Sequence, residues 1–328
     1  MKQVTVVIPN WNGMKYLKTC LDSLRAQDTG DFTTLVVDNG SEDGSAAFIR
    51  ENYPEVRLIE HPENLGFSGG VNSGISACET PYVLLLNNDV ECAPGFVSGL
   101  LRAIGKDPRI FSVSARMVNY RQRELLDDCG DLYTVLGWQA QRGVGQPVSE
   151  PRYMKEAEVF SACAGAALYR RAVFDEIGLF DLQHFAYLED IDVGYRAKLY
   201  GYRNVYTPEA VVYHIGSAAS GAVRYSDFKV RISARNSIYL AYKNMPLLQR
   251  AVNAFPMWVG RKVKQRFFRK EGFEKAYLEG VKEGFATRKT TKKVPFRLSR
   301  LPRYFAIEWA LIVNTFTYFS EYMRRHSR

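Results

Sequence analysis

Along the first third of the chain, two kinds of apolar run take turns. Val4-Thr5-Val6-Val7-Ile8 is a nearly continuous apolar stretch of the buried-strand type, ended by Pro9. Asn12 then offers an N-cap, and Leu17, Leu21 and Leu24 recur at helical spacing. The change of period repeats along residues 32–37 (strand), 45–53 (short helix), 56–59 (strand) and 68–78 (a helix of small residues). It continues with a strand over 82–86, a helix over 96–104 and a strand over 110–113. Strands and helices alternating at this spacing predict βαβ units and a mostly parallel, Rossmann-like α/β sheet with flanking helices.

Periodicity fades between about 118 and 158, where Gly and Pro recur and an irregular excursion is expected. A strand-like run over 158–169 carries the small residues Ala162, Ala164, Gly165 and Ala166. A helix opens near Glu189 and runs to Tyr200, where Gly201 stops it, and Ala210–Tyr213 reads as a strand. Beyond Ser226 the pattern is helical and basic, a C-terminal helical appendage to the sheet domain. The division this predicts is a catalytic domain over 1–245 and a basic helical region over 246–328.

Charge sharpens that division. Residues 250–328 hold nineteen Lys and Arg against six Glu and no Asp, whereas the whole chain of 328 residues carries only +9. The rest is therefore mildly acidic. An apolar fraction of 46% supports a core without disulfides, and the five cysteines never form a C-x-x-C pair. A reducing, cytoplasmic setting is expected, with strand character from Gln3 leaving no room for a signal peptide.

Polar clusters fall after the first, second and fourth strands: Pro9-Asn10-Trp11-Asn12, Asp38-Asn39-Gly40-Ser41 and Asn87-Asn88-Asp89. In parallel sheets ligands bind beyond the carboxyl ends of the strands, so three such clusters on one edge make a site. Asp38 is placed either to accept the imide N–H of a uracil or thymine ring or to bond its own turn. Asp89 can hold a divalent cation that bridges a diphosphate, although only one position of Asn87-Asn88-Asp89 is a carboxylate; a plain turn Asp is the alternative. Glu189-Asp190-Ile191-Asp192 sets three carboxylates at a helix start, where mutual repulsion raises at least one pKa. Asp192 faces Arg196 at i,i+4 as its ion-pair partner, which leaves Asp190 as the general base. His214 closes a strand either as a structural group or as a second ligand; imidazole among carboxylates favours Mn²⁺ over Mg²⁺. Gly66-Phe67-Ser68-Gly69-Gly70 is not a dinucleotide fingerprint, and its small residues allow backbone near a ligand or close helix packing.

Taken together, Val-Val-Ile-Pro-Asn-Trp-Asn-Gly (6–13), Val-Val-Asp-Asn-Gly-Ser-Glu-Asp-Gly-Ser (36–45), Glu-Asn-Leu-Gly-Phe-Ser-Gly-Gly-Val-Asn (63–72) and Leu-Leu-Leu-Asn-Asn-Asp-Val (84–90) resemble the family 2 glycosyltransferases of GT-A fold. Gly-Leu-Phe-Asp (178–181), Tyr-Leu-Glu-Asp-Ile-Asp-Val-Gly-Tyr-Arg (187–196) and Val-Tyr-His (212–214) extend the likeness, which is greatest to the rhamnosyltransferase-like branch and covers about 3–245. The resemblance implies an inverting transfer from a nucleoside diphosphate sugar, dTDP-rhamnose first and UDP-hexoses next, to a glycan or polyprenyl-linked hydroxyl. It implies nucleotide contacts from Pro9, Asn10, Asp38, Asn64, Gly66 and Asn88, with Mn²⁺ or Mg²⁺ held by Asp89 and His214. Asp190 is then the base, with Gly165, Glu189 and Asp192 beside the acceptor or donor sugar.

In the tail, Val259, Val263 and Phe267 repeat at i,i+4 among Arg and Lys, and an apolar stretch over 304–319 is broken by Glu308. Arg297, Arg300 and Arg303 precede that stretch, and Arg324, Arg325 and Arg328 follow it. It is short for a membrane span but suits peripheral binding to an anionic inner leaflet; packing on the catalytic domain or a dimer contact is the alternative. A nucleic-acid binder is the reading the basic tail invites, but no helix-turn-helix, zinc or RNP-type signature accompanies it. A nucleotide-sugar binder without catalysis is a further rival, and it has no need of a base such as Asp190.

Overall fold

The computed structural model describes residues 2–216 and 225–326, so Arg328 and residues 217–224 lie outside the description. The predicted alternation is present as β1 (Val4–Asn10), α1 (Met14–Arg25), β2 (Phe32–Asn39), α2 (Ser45–Asn52), β3 (Arg57–His61), α3 (Gly66–Ser76) and β4 (Tyr82–Leu86). β5 (Val90–Cys92), α4 (Phe96–Gly105) and β6 (Ile110–Asn119) follow. Successive strand residues serve opposite faces. Val4, Val6 and Ile8 pack with Leu17, Leu21 and Leu24 of α1, whereas Val7, Leu35 and Val37 pack with Val71 and Ile75 of α3. Helices on both faces are the reason these strands read as unbroken apolar runs.

Pro9 does not end β1. The pairing with β4 stops at Val7, while the pairing with β2 continues to Asn10 opposite Asp38. A proline is tolerated where one neighbour has already left the ladder. Nor is Asn12 an N-cap. It adopts φ 49°, its Oδ1 accepts from the Glu42 N–H, and Gly13 precedes α1 instead.

The excursion contains β7 (Leu126–Asp128), β8 (Asp131–Tyr133) and β9 (Gln139–Gln141), each too short to show a period. The run over 158–169 divides into β10 (Ala157–Val159) and β11 (Ala166–Arg170), with the small residues between them making the crossing. α5 (Val173–Ile177), α6 (Glu189–Tyr200) and β12 (Arg203–His214) follow, and Gly201 ends α6 at φ 93°. The sheet order is β3-β2-β1-β4-β11-β6-β12-β10, with β5 on β12 and β7 on β6. β11 runs antiparallel between β4 and β6, whereas β1 is parallel to β2 and β4, and β6 to β12.

The C-terminal region is helical as expected: α7 (Asp227–Asn244), α8 (Leu247–Val252), α9 (Ala254–Lys270), α10 (Glu274–Thr287) and α11 (Leu301–His326). It is docked, not loosely appended. Tyr304, Ile307 and Leu311 of α11 share a core cluster with Ile191, Tyr195 and Leu199 of α6. Glu308, the charge inside the apolar stretch, accepts hydrogen bonds from Gln249 (2.8 Å) and Asn253 (2.9 Å). Among the described residues no helix is long and apolar enough to cross a membrane.

Candidate functional site

The three polar clusters meet at the carboxyl ends of β1, β2 and β4. Asn10 donates to Asp38 Oδ2 (2.9 Å) and accepts at its own Oδ1 from Asn88 Nδ2 (2.7 Å), so one amide ties three strand ends together. Asp38 also accepts the Ser41 N–H at 2.9 Å, the turn role foreseen for it. Gly13 allows this closeness, because a Cβ there would lie 2.0 Å from Asn88 Nδ2. Asn64 is a turn-former: its Oδ1 accepts from Asn39 (3.0 Å) and from the Gly66 N–H (2.8 Å). Gly66 lies at φ 74° against Phe185, and Gly74 of the same helix packs on Val7, so close packing requires glycine at both positions.

β5 pairs with β12 so that His214 stands opposite Val90, which puts its ring beside Asp89. His214 Nε2 lies 3.5 Å from Asp89 Oδ1, and Nδ1 lies 2.6 Å from Asp127 Oδ2 on β7. Burial works against charge on this imidazole, but hydrogen bonds to Asp127 and Asp89 outweigh it and push the pKa up to about 10. The group fits a divalent cation. Two ligand atoms face each other, and the far ring nitrogen is fixed by a carboxylate, the arrangement that orients metal-binding histidines.

Asp190 opens α6 with one face towards solvent, and its Oδ1 accepts the Ile191 N–H at 2.7 Å. Burial raises its pKa above the ordinary Asp value, opposed by N–H groups of Ile191 and Ala164 and a hydrogen bond with Asp131. Asp131 on β8, wholly buried and facing Asp190 and Asp128, is pushed well above its usual value. The proton of that pair therefore belongs to Asp131, which helps keep Asp190 anionic. Glu189 is pushed up to about 8 by burial first and the Asp190 charge second. The carboxylate run does raise pKa values, but burial leads and repulsion follows.

Asp192 goes the other way. It is fully buried, with Arg196 (2.8 Å) and Lys243 (2.9 Å) on Oδ2 and Asn244 (2.7 Å) on Oδ1. Despite burial, those cations hold its pKa far below the ordinary range. Asp192 is a structural ion-pair partner, and its place beside a sugar is corrected. Gly165 is buried too. Its carbonyl accepts the Asn87 N–H at 2.8 Å, and a Cβ would meet Asn87 Nδ2 at 3.1 Å, so it lets the β4 end lie close to the crossing before β11.

The loop before α6 is strained: Phe185, Tyr187 and Leu188 have φ of 62°, 71° and 67°. Asn236 of α7 holds it, donating to the carbonyls of His184 (2.9 Å), Ala186 (2.9 Å) and Tyr187 (2.8 Å). Replacing Asn236 by Ala removes three hydrogen bonds that hold this strained loop and is expected to cost about 1–3 kcal/mol, read as a lowered Tm.

Asp127, Asp131 and Asn236 were not singled out from the sequence. The Asp127-Asp128 pair in the excursion was the available signal. Asp128, Asp131 and Cys163 also bring one oxygen or sulfur atom apiece within 4.8 Å of one another, a second group with metal-ligand chemistry.

An open-edged, mostly parallel α/β sheet with a polar rim at its strand ends, a carboxylate–imidazole pair and a half-buried carboxylate with a raised pKa is the arrangement of a GT-A glycosyltransferase. The chain belongs to glycosyl transferase family 2, whose model matches residues 5–178. It is 29% identical over 237 residues to the N-acetylglucosaminyl-diphospho-decaprenol L-rhamnosyltransferase of Mycobacterium tuberculosis, covering 66% of this chain and 77% of that one. It is likewise 29% identical over 251 residues to the pre-mycofactocin glycosyltransferase of the same organism, covering 69% of this chain and 49% of the relative. Among solved structures, GalNAc-T7 with UDP, GalNAc and Mn²⁺ superposes with TM-score 0.59 at 16% identity, over 74% of this chain and 48% of that one. The mannosyltransferase PcManGT of Pyrobaculum calidifontis with GDP-Man and Mn²⁺ gives 0.55 at 15% identity, over 99% and 86%. These two likenesses concern the fold.

Proposed function

We propose that this glycosyltransferase moves rhamnose from dTDP-rhamnose, with inversion, onto a hydroxyl of a polyprenyl-linked glycan. The setting is cell-surface polysaccharide assembly at the inner face of the cytoplasmic membrane. One observation carries the mechanism: Asp89 and His214 face each other beside the Asn10–Asp38–Asn88 rim, and β7–β8 leads from His214's partner Asp127 to Asp190's partner Asp131. The rhamnosyl donor and lipid-linked acceptor follow the relative whose name includes both rhamnosyl transfer and decaprenol.

In this reading Asp38, in addition to its turn bonds, receives the imide N–H of the base, with Pro9, Asn10, Asn64, Gly66 and Asn88 shaping the nucleotide edge. Asp190 takes the proton of the acceptor hydroxyl, whose oxygen attacks the anomeric carbon opposite the departing diphosphate; a single displacement inverts that carbon. Glu189 flanks the base. A divalent cation bound by Asp89 and His214 offsets negative charge on the diphosphate, and the imidazole favours Mn²⁺ over Mg²⁺.

Cation binding requires neutral His214. Because that group holds its proton up to about pH 10, Mn²⁺ affinity is expected to rise about tenfold per pH unit below that value, with proton release on binding. Calorimetry in two buffers of different ionisation enthalpy counts the protons. Asp127→Asn is expected to weaken Mn²⁺ about 10–100-fold.

A thermal-shift screen of dTDP-, UDP- and GDP-sugars with Mn²⁺ or EDTA tests the donor. The expected result is greatest stabilisation by dTDP-rhamnose with Mn²⁺; ligand at a hundred times Kd adds about 2.7 kcal/mol. Stabilisation by a UDP-hexose instead replaces the donor, and no shift with any nucleotide sugar defeats the reading.

A further inference from the structure

The C-terminal helices leave a large apolar surface uncovered. Of the large hydrophobic side chains exposed among the described residues, Trp11, Leu65, Met154, Leu182 and Phe228 are the few before residue 247; twenty lie between Leu247 and Met323. The polar exteriors of the other surface helices do not continue here.

α11 shows this most clearly. Its inner side is pinned along its length: Tyr304, Ile307 and Leu311 are buried, Asn314 donates to the Tyr133 carbonyl at 3.0 Å, and Glu321 accepts from Tyr153 at 2.9 Å. Its outer side carries Phe305, Trp309, Ile312, Phe316, Phe319 and Met323 at steps of three and four residues, which makes one stripe along the helix. Phe305 and Trp309 are each 67% exposed and Phe316 is 74% exposed. A helix with a packed apolar side and a second, open apolar side has an unmet partner. α8 and the start of α9 are joined to α11 through Gln249 and Asn253 on Glu308. They expose Leu248, Val252 and Phe255, and farther along α9 the exposed Trp258, Val263 and Phe267 are interleaved with exposed Lys262, Arg266, Arg269 and Lys270.

We propose that the outer face of α8, α9 and α11 docks flat on an anionic lipid bilayer, with the aromatic and aliphatic stripe entering the interface and the basic side chains meeting the headgroups. Charge decides the occupant. Residues 250–328 carry thirteen more cationic than anionic side chains, so pairing two copies through this face would bring two strongly basic surfaces together, whereas an anionic surface complements both. No helix crosses a membrane among the described residues, which suits a helix lying in the interface plane. α11 is bonded to Tyr133, the last residue of β8, whose first residue is Asp131 beside Asp190. The thickness of one helix, about 10 Å, would thus separate the bilayer from the segment that supports the base. Docking deepens the lipid-linked-acceptor reading but is measured without it.

Flotation of the full chain with phosphatidylglycerol or phosphatidylcholine vesicles tests the surface, with F305E/W309E/F316E and K262E/R266E as variants. None of these residues belongs to the site, so circular dichroism and nucleotide-induced thermal shifts should match the parent. The expected result is flotation with phosphatidylglycerol only, weakened by salt, with each variant losing about tenfold or more in partitioning. A parent chain that stays at the bottom with both vesicles overturns the proposal. So does a dimer in sedimentation that F305E/W309E/F316E dissociates while vesicle binding is absent. Flotation without turnover of any nucleotide sugar would leave the docking face standing and remove the transferase reading instead.

Discussion

Asp190→Asn is expected to lower turnover about 10²–10⁴-fold, the range a positioned general base contributes, while leaving nucleotide-sugar affinity within a few fold. The amide keeps the shape of the carboxylate but has no site for the acceptor's proton. Single-turnover kinetics for transfer, with calorimetry for donor binding, separate the two quantities. The proposed role requires Asp190 ionised. Its pKa is raised by burial, so turnover is expected to fall as pH drops through a value above that of an ordinary Asp. Asp190→Asn should abolish that acid limb along with the rate. An unaltered rate removes Asp190 from the role of base.

Asp89→Asn carries the second large effect. It exchanges an anionic side chain for a neutral one in a buried position and leaves His214 with Asp127 as its anionic partner. Cation-supported donor binding and turnover are expected to fall together, by about 10²–10³-fold, consistent with several kcal/mol of charge stabilisation. His214→Ala should behave alike. The double variant should lose much less than the product of the two, because in the proposed mechanism both groups serve one ion. Donor affinity measured with Mn²⁺ and with EDTA is the check: in Asp89→Asn the two values should converge.

The parts of this molecule that were legible in the sequence share a cause. Val4–Ile8, Leu35–Val37 and Val83–Leu86 are buried on both faces, so burial wrote itself as apolar runs, and the turn chemistry at their ends marked the site edge. Asp38, Asn88 and Asp89 could be read because they sit where strands stop. Asp127 and Asp131 could not, since β7 and β8 are three residues each and their partners come from β6 and β9, not from neighbours in a repeating pattern. Asn236 was hidden for a different reason. It is one polar residue in a helix with a weak apolar stripe, and its purpose appears only when the strained loop 185–188 is laid against it. Asp192 shows the opposite limit: helical spacing identified its partner Arg196, but Lys243 and Asn244 arrive from α7, and only their arrival makes it wholly structural. The C-terminal charge surplus was visible at once, whereas the two-sided packing of α11 required Ile307 and Phe305 to be seen on opposite sides of one helix.

Anomalous scattering at the manganese edge, from crystals grown with Mn²⁺ and a nucleoside diphosphate, tests the account most directly. The account predicts one strong peak in contact with Asp89 Oδ1 and His214 Nε2, next to diphosphate density, with Asp127 still on His214 Nδ1. A peak among Asp128, Asp131 and Cys163 with none at Asp89 and His214 would contradict it.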